Sequence, residues 1–242
     1  MKRLSIRLDE IAYIRSALQN DGFDPVQVAV LAEIAGANGI VGTYSGTKQG
    51  LQERDVRLLK EVRKTFFNLR LPLDDEAIRV ALDTVPDMVT FVHLPANRSS
   101  QAEPLDISIT LEDIEQFLPD LQANGISVAV LITPEIATLR NLTKIAVDYV
   151  EFDITAYTNA PDVNDELVAL DKIKSATVAA VKLGLGVNCS GQVRLEHLPP
   201  LARIPSVEDI VVDSAFVQSA LLSGVEKTVQ EFLRHIRAAE VD

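Results

Sequence analysis

The stretch DPVQVAVLAEIAGANGIVGT, residues 24–43, carries one complete helix–strand unit. Asp24 reads as an N-cap, Pro25 as the first helical residue, and Gly36 stands just past the end of the helix. Three residues further on, GIVGT (39–43) is a short apolar run of strand length. A helix that ends on glycine and feeds a buried strand is the building block of a parallel sheet, because parallel strands need crossover helices.

The same alternation runs outward in both directions. Strands are predicted at 4–8, 39–43, 66–71, 88–94, 126–132, 149–154, 185–189 and 209–213. Helices are predicted at 24–36, 52–64, 74–85, 110–125, 134–146, 163–184 and 215–239, with a short one near 195–203. The helix at 110–125 has a capping-box start, Thr110 to Asp113, and ends at Gly125. Eight strand–helix units predict a (β/α)8 barrel, a single TIM-barrel domain over 1–242. An open doubly wound sheet would normally carry a GxGxxG turn after its first strand, and none is present.

Composition narrows the function. The chain has 242 residues, 47% of them apolar, and a formal net charge of −12. An acidic balance argues against a nucleic-acid partner, which would call for a basic face. One cysteine, Cys189, excludes an intramolecular disulfide framework and a cysteine-rich metal site. The start is charged rather than apolar, and no run approaches the roughly 18 apolar residues of a membrane span, so a cytoplasmic protein is expected. Only three histidines, His93, His197 and His235, are available for acid–base work near neutrality. His93 reads as hydrogen-bonded at a strand end, and the other two as surface residues. No metal site is expected, since Glu151 with Asp153 is the only close ligand pair.

In this fold chemistry sits at the carboxyl ends of the strands. Alternation places Ser5, Arg7 and Asp9 on one face of the first strand, Asn68 and Arg70 on one face of the third, and Glu151 and Asp153 on one face of the sixth. Asn188 and Ser190 end the seventh, and Asp213 and Ser214 follow the eighth. If those faces point inward, two arginines and several carboxylates meet at the barrel mouth. Arginine forks suit a small anionic or phosphorylated ligand. The competing reading is a self-neutralised ion-pair network that plugs the mouth, since acids are available to both arginines. Lys48, in YSGTKQG (44–50), could cover a phosphate, but a βα loop is the safer reading.

Several stretches together resemble the pyridoxine 5′-phosphate synthase family: LDEIAYIR (8–15), the 24–40 unit, RDVRLLK (54–60), NLRLP (68–72), NGISVAVLI (124–132) and SATVAAVKLGLGVN (175–188). The resemblance covers essentially the whole chain. It implies a barrel that condenses 1-deoxyxylulose 5-phosphate with 3-amino-2-oxopropyl phosphate. It also implies no metal or organic cofactor, and an octamer in which a neighbouring subunit completes each site. The family's acid–base work belongs to two histidines and two glutamates. Carried over position by position, one histidine falls on Thr43, one glutamate on Arg70 and the second histidine on Gly191, with Gln192 in place of a glycine. Glu151 is the retained acid–base position, and a family histidine two residues on is Asp153. A Gly-His pair that helps hold phosphate falls on Asp213-Ser214, and Asn-x-Asp-His reads Arg7-Leu8-Asp9-Glu10. Asp9, Arg15, Tyr157 and Asn188 match the family. Ligand-binding candidates are therefore Arg7, Asp9, Arg15, Arg70, Asp153, Asn188, Ser190 and Ser214. A lost imidazole cannot be replaced by a hydroxyl or a glycine as a proton shuttle near pH 7. The expectation is a kept frame with a rewritten mouth: a pseudoenzyme acting as a binding, regulatory or structural homo-oligomer, with an enzyme of altered chemistry on a small anionic or phosphorylated substrate, or an active synthase using substitute residues, as the alternatives.

Overall fold

The computed structural model describes residues 2–47, 50–95 and 102–241. Eight parallel strands close into one barrel in chain order. They are β1 (Arg3–Arg7), β2 (Gly39–Thr43), β3 (Phe66–Leu71), β4 (Met88–Phe91), β5 (Ser127–Ile132), β6 (Tyr149–Asp153), β7 (Gly186–Ser190) and β8 (Val207–Val212). The helices are α1 (Asp9–Leu18), α2 (Pro25–Ile34), α3 (Glu53–Val62), α4 (Asp75–Thr84), α5 (Ile107–Ala123), α6 (Ile136–Leu142), α7 (Thr155–Thr158), α8 (Val163–Lys182), α9 (Leu198–Ala202), α10 (Ser214–Ser223) and α11 (Val225–Val241). This is the (β/α)8 TIM barrel that the helix–strand alternation predicts.

The opening unit forms as its residues dictate. The Asp24 side chain accepts the Val26 N–H at 2.9 Å, and Pro25 begins α2. Other boundaries move for identifiable reasons. The first turn after β1 becomes a helix that the sequence reading lacked: α1 buries Asp9, Ile11, Ala12 and Arg15 at helical spacing. Helix α5 begins at Ile107 rather than Thr110, because Asp106 accepts the Ser108 N–H; Thr110 lies inside the helix and donates its hydroxyl to the Asp106 carbonyl. Strand β4 stops at Phe91, short of the predicted end, and His93 instead bridges antiparallel to Glu103. The closing helix is two helices, broken at Gly224, whose φ of +84° is a conformation glycine adopts without a Cβ penalty.

Alternation along the strands separates two interiors. Leu4, Ile6, Ile40, Phe67, Leu69, Val89, Val128, Val130, Val150, Phe152, Val187, Cys189, Ile210 and Val212 face the helices and join one apolar core. The other parity faces the barrel axis. It includes apolar Val41, Met88, Ala129, Leu131 and Val211, but also Ser5, Asn68, Arg70, Thr90, Glu151, Asn188 and Asp209, all buried. A barrel interior is ordinarily filled by branched aliphatic side chains. Burying this many polar groups is tolerable only if they satisfy one another.

Candidate functional site

The polar interior resolves into three clusters toward the carboxyl ends of the strands. In the first, Arg70 on β3 forms a buried salt bridge from Nη2 to Glu151 Oε1 on β6. The same oxygen accepts the Ser190 hydroxyl at 2.6 Å. The other oxygen, Oε2, lies 3.4 Å from both Asn68 Nδ2 and Thr90 Oγ1, and Thr90 in turn donates to Asn68 Oδ1 at 2.8 Å. Both oxygens of Glu151 are thus engaged. Asn188 sits beside Glu151 in the strand register, with Nδ2 3.6 Å from Met88 Sδ. Its Oδ1 and Arg70 Nε are buried without hydrogen-bond partners among the described residues.

The second cluster is built around Arg7 at the end of β1. Its guanidinium pairs with Glu10 and lies 3.4 Å from Asp213 Oδ2 and 3.6 Å from Asp9 Oδ2. Burial works against the charged guanidinium, but Glu10, Asp213 and Asp9 more than offset it, and the Arg7 pKa is raised. Burial dominates at Glu10, whose pKa is raised despite the pull of Arg7. Asp9 is also fixed on its other side: it accepts Thr43 N–H and Thr43 Oγ1, each at 2.7 Å. Thr43 is fully buried and turned to this carboxylate. Ser214 sits next to Asp213 and donates its N–H to that residue's own carboxylate at 2.7 Å.

The third cluster holds Asp153 and Gly191. Asp153 is paired with neither arginine. Its Oδ1 accepts Thr155 N–H at 2.9 Å and the Thr155 hydroxyl at 2.5 Å, which starts the turn into α7. Gly191 has φ +121° and lies against that turn. A Cβ placed there would fall 2.6 Å from Asp153 Oδ1, 2.7 Å from Thr155 Oγ1 and 3.0 Å from Thr155 N. The position is packed shut, and only glycine fits it.

Arg15 stands apart from all three. It forks onto Asp55 at the start of α3, with Nη1–Oδ1 at 2.9 Å and Nη2–Oδ2 at 2.7 Å. Strand parity does not reveal this partner, because the contact joins two helices, α1 and α3. His197 is a correction: it is 4% exposed rather than on the surface. Its Nδ1 accepts the Arg194 N–H at 3.0 Å, its ring packs 5.2 Å from that of Tyr157, and burial lowers its pKa. His93 is exposed, and His235 is half-buried with Nδ1 3.1 Å from the Glu231 carbonyl oxygen on the preceding turn of its helix. Lys48 lies outside the described residues. Among the described residues no three His, Cys, Asp or Glu side chains are grouped to hold a metal ion, and no helix is long and apolar enough to cross a membrane.

A family profile described as "Pyridoxal phosphate biosynthesis protein PdxJ" matches residues 4–238. Among curated relatives, the pyridoxine 5′-phosphate synthase of Geotalea uraniireducens is 30% identical over 239 residues, 99% of this chain and 100% of the relative. That of Geotalea daltonii is 32% identical over 233 residues, 96% and 98% of the two chains. Among solved structures, KGPDC from Streptococcus mutans superposes with a TM-score of 0.64 at 11% identity, over 99% of both chains, a likeness of fold alone.

Proposed function

The chain belongs to the PdxJ family of pyridoxal phosphate biosynthesis proteins, and from that membership we propose a barrel that keeps the family frame without the parent ring closure. On this reading it is a cytoplasmic homo-oligomer with a binding, regulatory or structural role, and needs neither metal nor organic cofactor. One observation carries it. Glu151, the retained acid–base position, has one oxygen committed to Arg70 and Ser190 and the other within 3.4 Å of Asn68 and Thr90. A carboxylate locked in a buried salt bridge is poorly placed to accept and return a substrate proton, and general acid–base groups contribute roughly 10²–10⁴-fold each. Thr43, tied to Asp9, and Gly191, packed against Asp153, support the same reading. The exposed Ile34, Leu221 and Leu222 support an oligomer.

A second reading is an enzyme of altered chemistry on a small anionic or phosphorylated ligand. It is favoured by Asn188 Oδ1 and Arg70 Nε, two buried polar atoms without partners among the described residues, which a ligand could supply. Incubating the purified chain with 1-deoxyxylulose 5-phosphate and 3-amino-2-oxopropyl phosphate tests the first reading. No pyridoxine 5′-phosphate above background is expected, and turnover at the rate of a family member overturns it.

A further inference from the structure

A cavity of about 280 Å³ lies between the end of β6, α7 and the first half of α8. Of the residues in the three clusters of the mouth, Asp153 is the one that lines it. Its size is at the small end of ligand sites, which run from roughly 300 Å³ upward. Helix α8 supplies one wall: Asp165, Val168, Ala169 and Lys172 stand at i, i+3, i+4 and i+7 and so share one face. Ile154 and Ile173, both buried, add apolar lining, and Val168 is 57% exposed, so apolar surface is left uncovered here. The charges are sorted by topology. A parallel crossover returns α8 from the carboxyl ends of the strands toward their amino ends. Asp165, in the first turn of α8, therefore stands near the mouth, as does Asp153 at the end of β6. Lys172 stands two turns further down, roughly 10 Å along the axis. That exceeds the spacing at which helix neighbours pair, and Lys172 makes no ion pair or hydrogen bond among the described residues. Asp153 engages Thr155 through Oδ1 alone. Tyr157 adds a hydroxyl that is buried without a partner among the described residues. Burial pushes its pKa up to about 12, so it remains a donor that lacks an acceptor.

We propose that this cavity binds a small zwitterion, with an ammonium group toward Asp153 and Asp165, a carboxylate toward Lys172, and an apolar chain or ring between them against Ile154, Val168 and Ile173. An oxygen of the ligand supplies the acceptor that Tyr157 lacks. A simple amine leaves Lys172 unanswered, and a simple carboxylate is repelled by the two acids at the other end. The inference goes beyond the proposed loss of ring closure: it assigns a ligand class to a cavity outside the Arg70–Glu151 network.

The test is a calorimetric titration of the full chain at pH 7.5 with three probes of one carbon skeleton: 6-aminohexanoate, hexylamine and hexanoate. The zwitterion is expected to bind saturably in the millimolar range or tighter, and at least tenfold more tightly than either singly charged probe. Its titration is expected to shift backbone amide NMR signals of α7 and the first half of α8. K172E and D165N, both at exposed positions, are expected to keep the melting temperature, with K172E weakening the zwitterion at least tenfold and D165N less. Hexylamine or hexanoate binding as tightly as the zwitterion overturns the assignment. So does an unsubstituted chain without saturable binding of the zwitterion, or binding that a folded K172E leaves unchanged. The functional reading fails separately, on turnover of the two synthase substrates by the unsubstituted chain.

Discussion

Arg70 and Glu151 meet inside the barrel with side chains 1% and 0% exposed, joined across the axis from β3 and β6. Neither charge has access to water, so each depends on the other. Removing one partner of such a pair typically costs about 3–5 kcal/mol, because the survivor is left charged and buried. R70M is therefore expected to lower the unfolding free energy by about that amount. E151Q/R70M, which removes both charges and keeps an acceptor for Ser190 and Asn68, is expected to recover most of it. Urea unfolding of the two single variants and the double variant gives the coupling energy; additive losses would mean that the pair is not coupled.

Gly191 makes the second expectation specific. A Cβ there collides with Asp153 and Thr155, and φ of +121° is unfavourable for any L-residue. G191H is expected to cost about 2–3 kcal/mol by strain and displacement of the α7 turn. Consequently, T43H/R70E/G191H, which restores the family residue types, is not expected to regain family-level turnover. R70E also sets a second carboxylate beside Glu151. Product formation at the rate of a family member, assayed with both phosphorylated substrates, would contradict this.

The frame was legible in the sequence because its signals are local. Asp24, Pro25 and the short apolar runs each report on their own few residues, and eight such units admit one common closure. The site was legible in type but not in pairing. Parity groups Arg7 with Asp9, Arg70 with Asn68 and Glu151 with Asp153 on shared faces, yet it cannot say that Arg7 turns to Glu10 and Asp213 while Asp153 turns to Thr155. Those choices depend on α1 and α7, short helices whose burial is tertiary. Arg15 shows the same limit: its partner Asp55 is forty residues away on another helix. His197 reads as a surface residue from sequence because a histidine in a short turn carries no sign that Tyr157 packs against it.

Asp209 predicts a pH dependence at the opposite end of the barrel. Its carboxylate is fully buried, accepts from Ser5 Oγ at 2.7 Å and Arg3 Nε at 2.9 Å, and has Oδ1 without a partner among the described residues. Burial pushes its pKa up to about 6, against the pull of Arg3. The folded state therefore binds this proton more tightly than the unfolded chain. The stabilisation is fully present below the unfolded carboxylate value near 4 and is lost as pH rises through about 6. The stability of D209N relative to the unsubstituted chain is thus expected to rise between pH 4.5 and 7.5, by on the order of 2 kcal/mol. Denaturant melts of both proteins across that range check it, and a pH-independent difference would refute it.

Arg15 and Asp55 allow a test of whether Arg15 serves the fold or a ligand. The two-pronged contact links α1 to the first turn of α3, and Asp55 also accepts the Gln52 N–H at 2.9 Å. That second donor and the helix N-terminus keep Asp55 partly satisfied when the arginine is lost. R15A is therefore expected to cost about 2–3 kcal/mol, less than the loss at Arg70. R15K keeps the charge but cannot reproduce the planar fork, so it should fall between R15A and the unsubstituted chain. Urea midpoints in the order unsubstituted, R15K, R15A, measured without any ligand, assign Arg15 to the α1–α3 contact. Midpoints unchanged by both substitutions would instead leave the guanidinium available to a ligand.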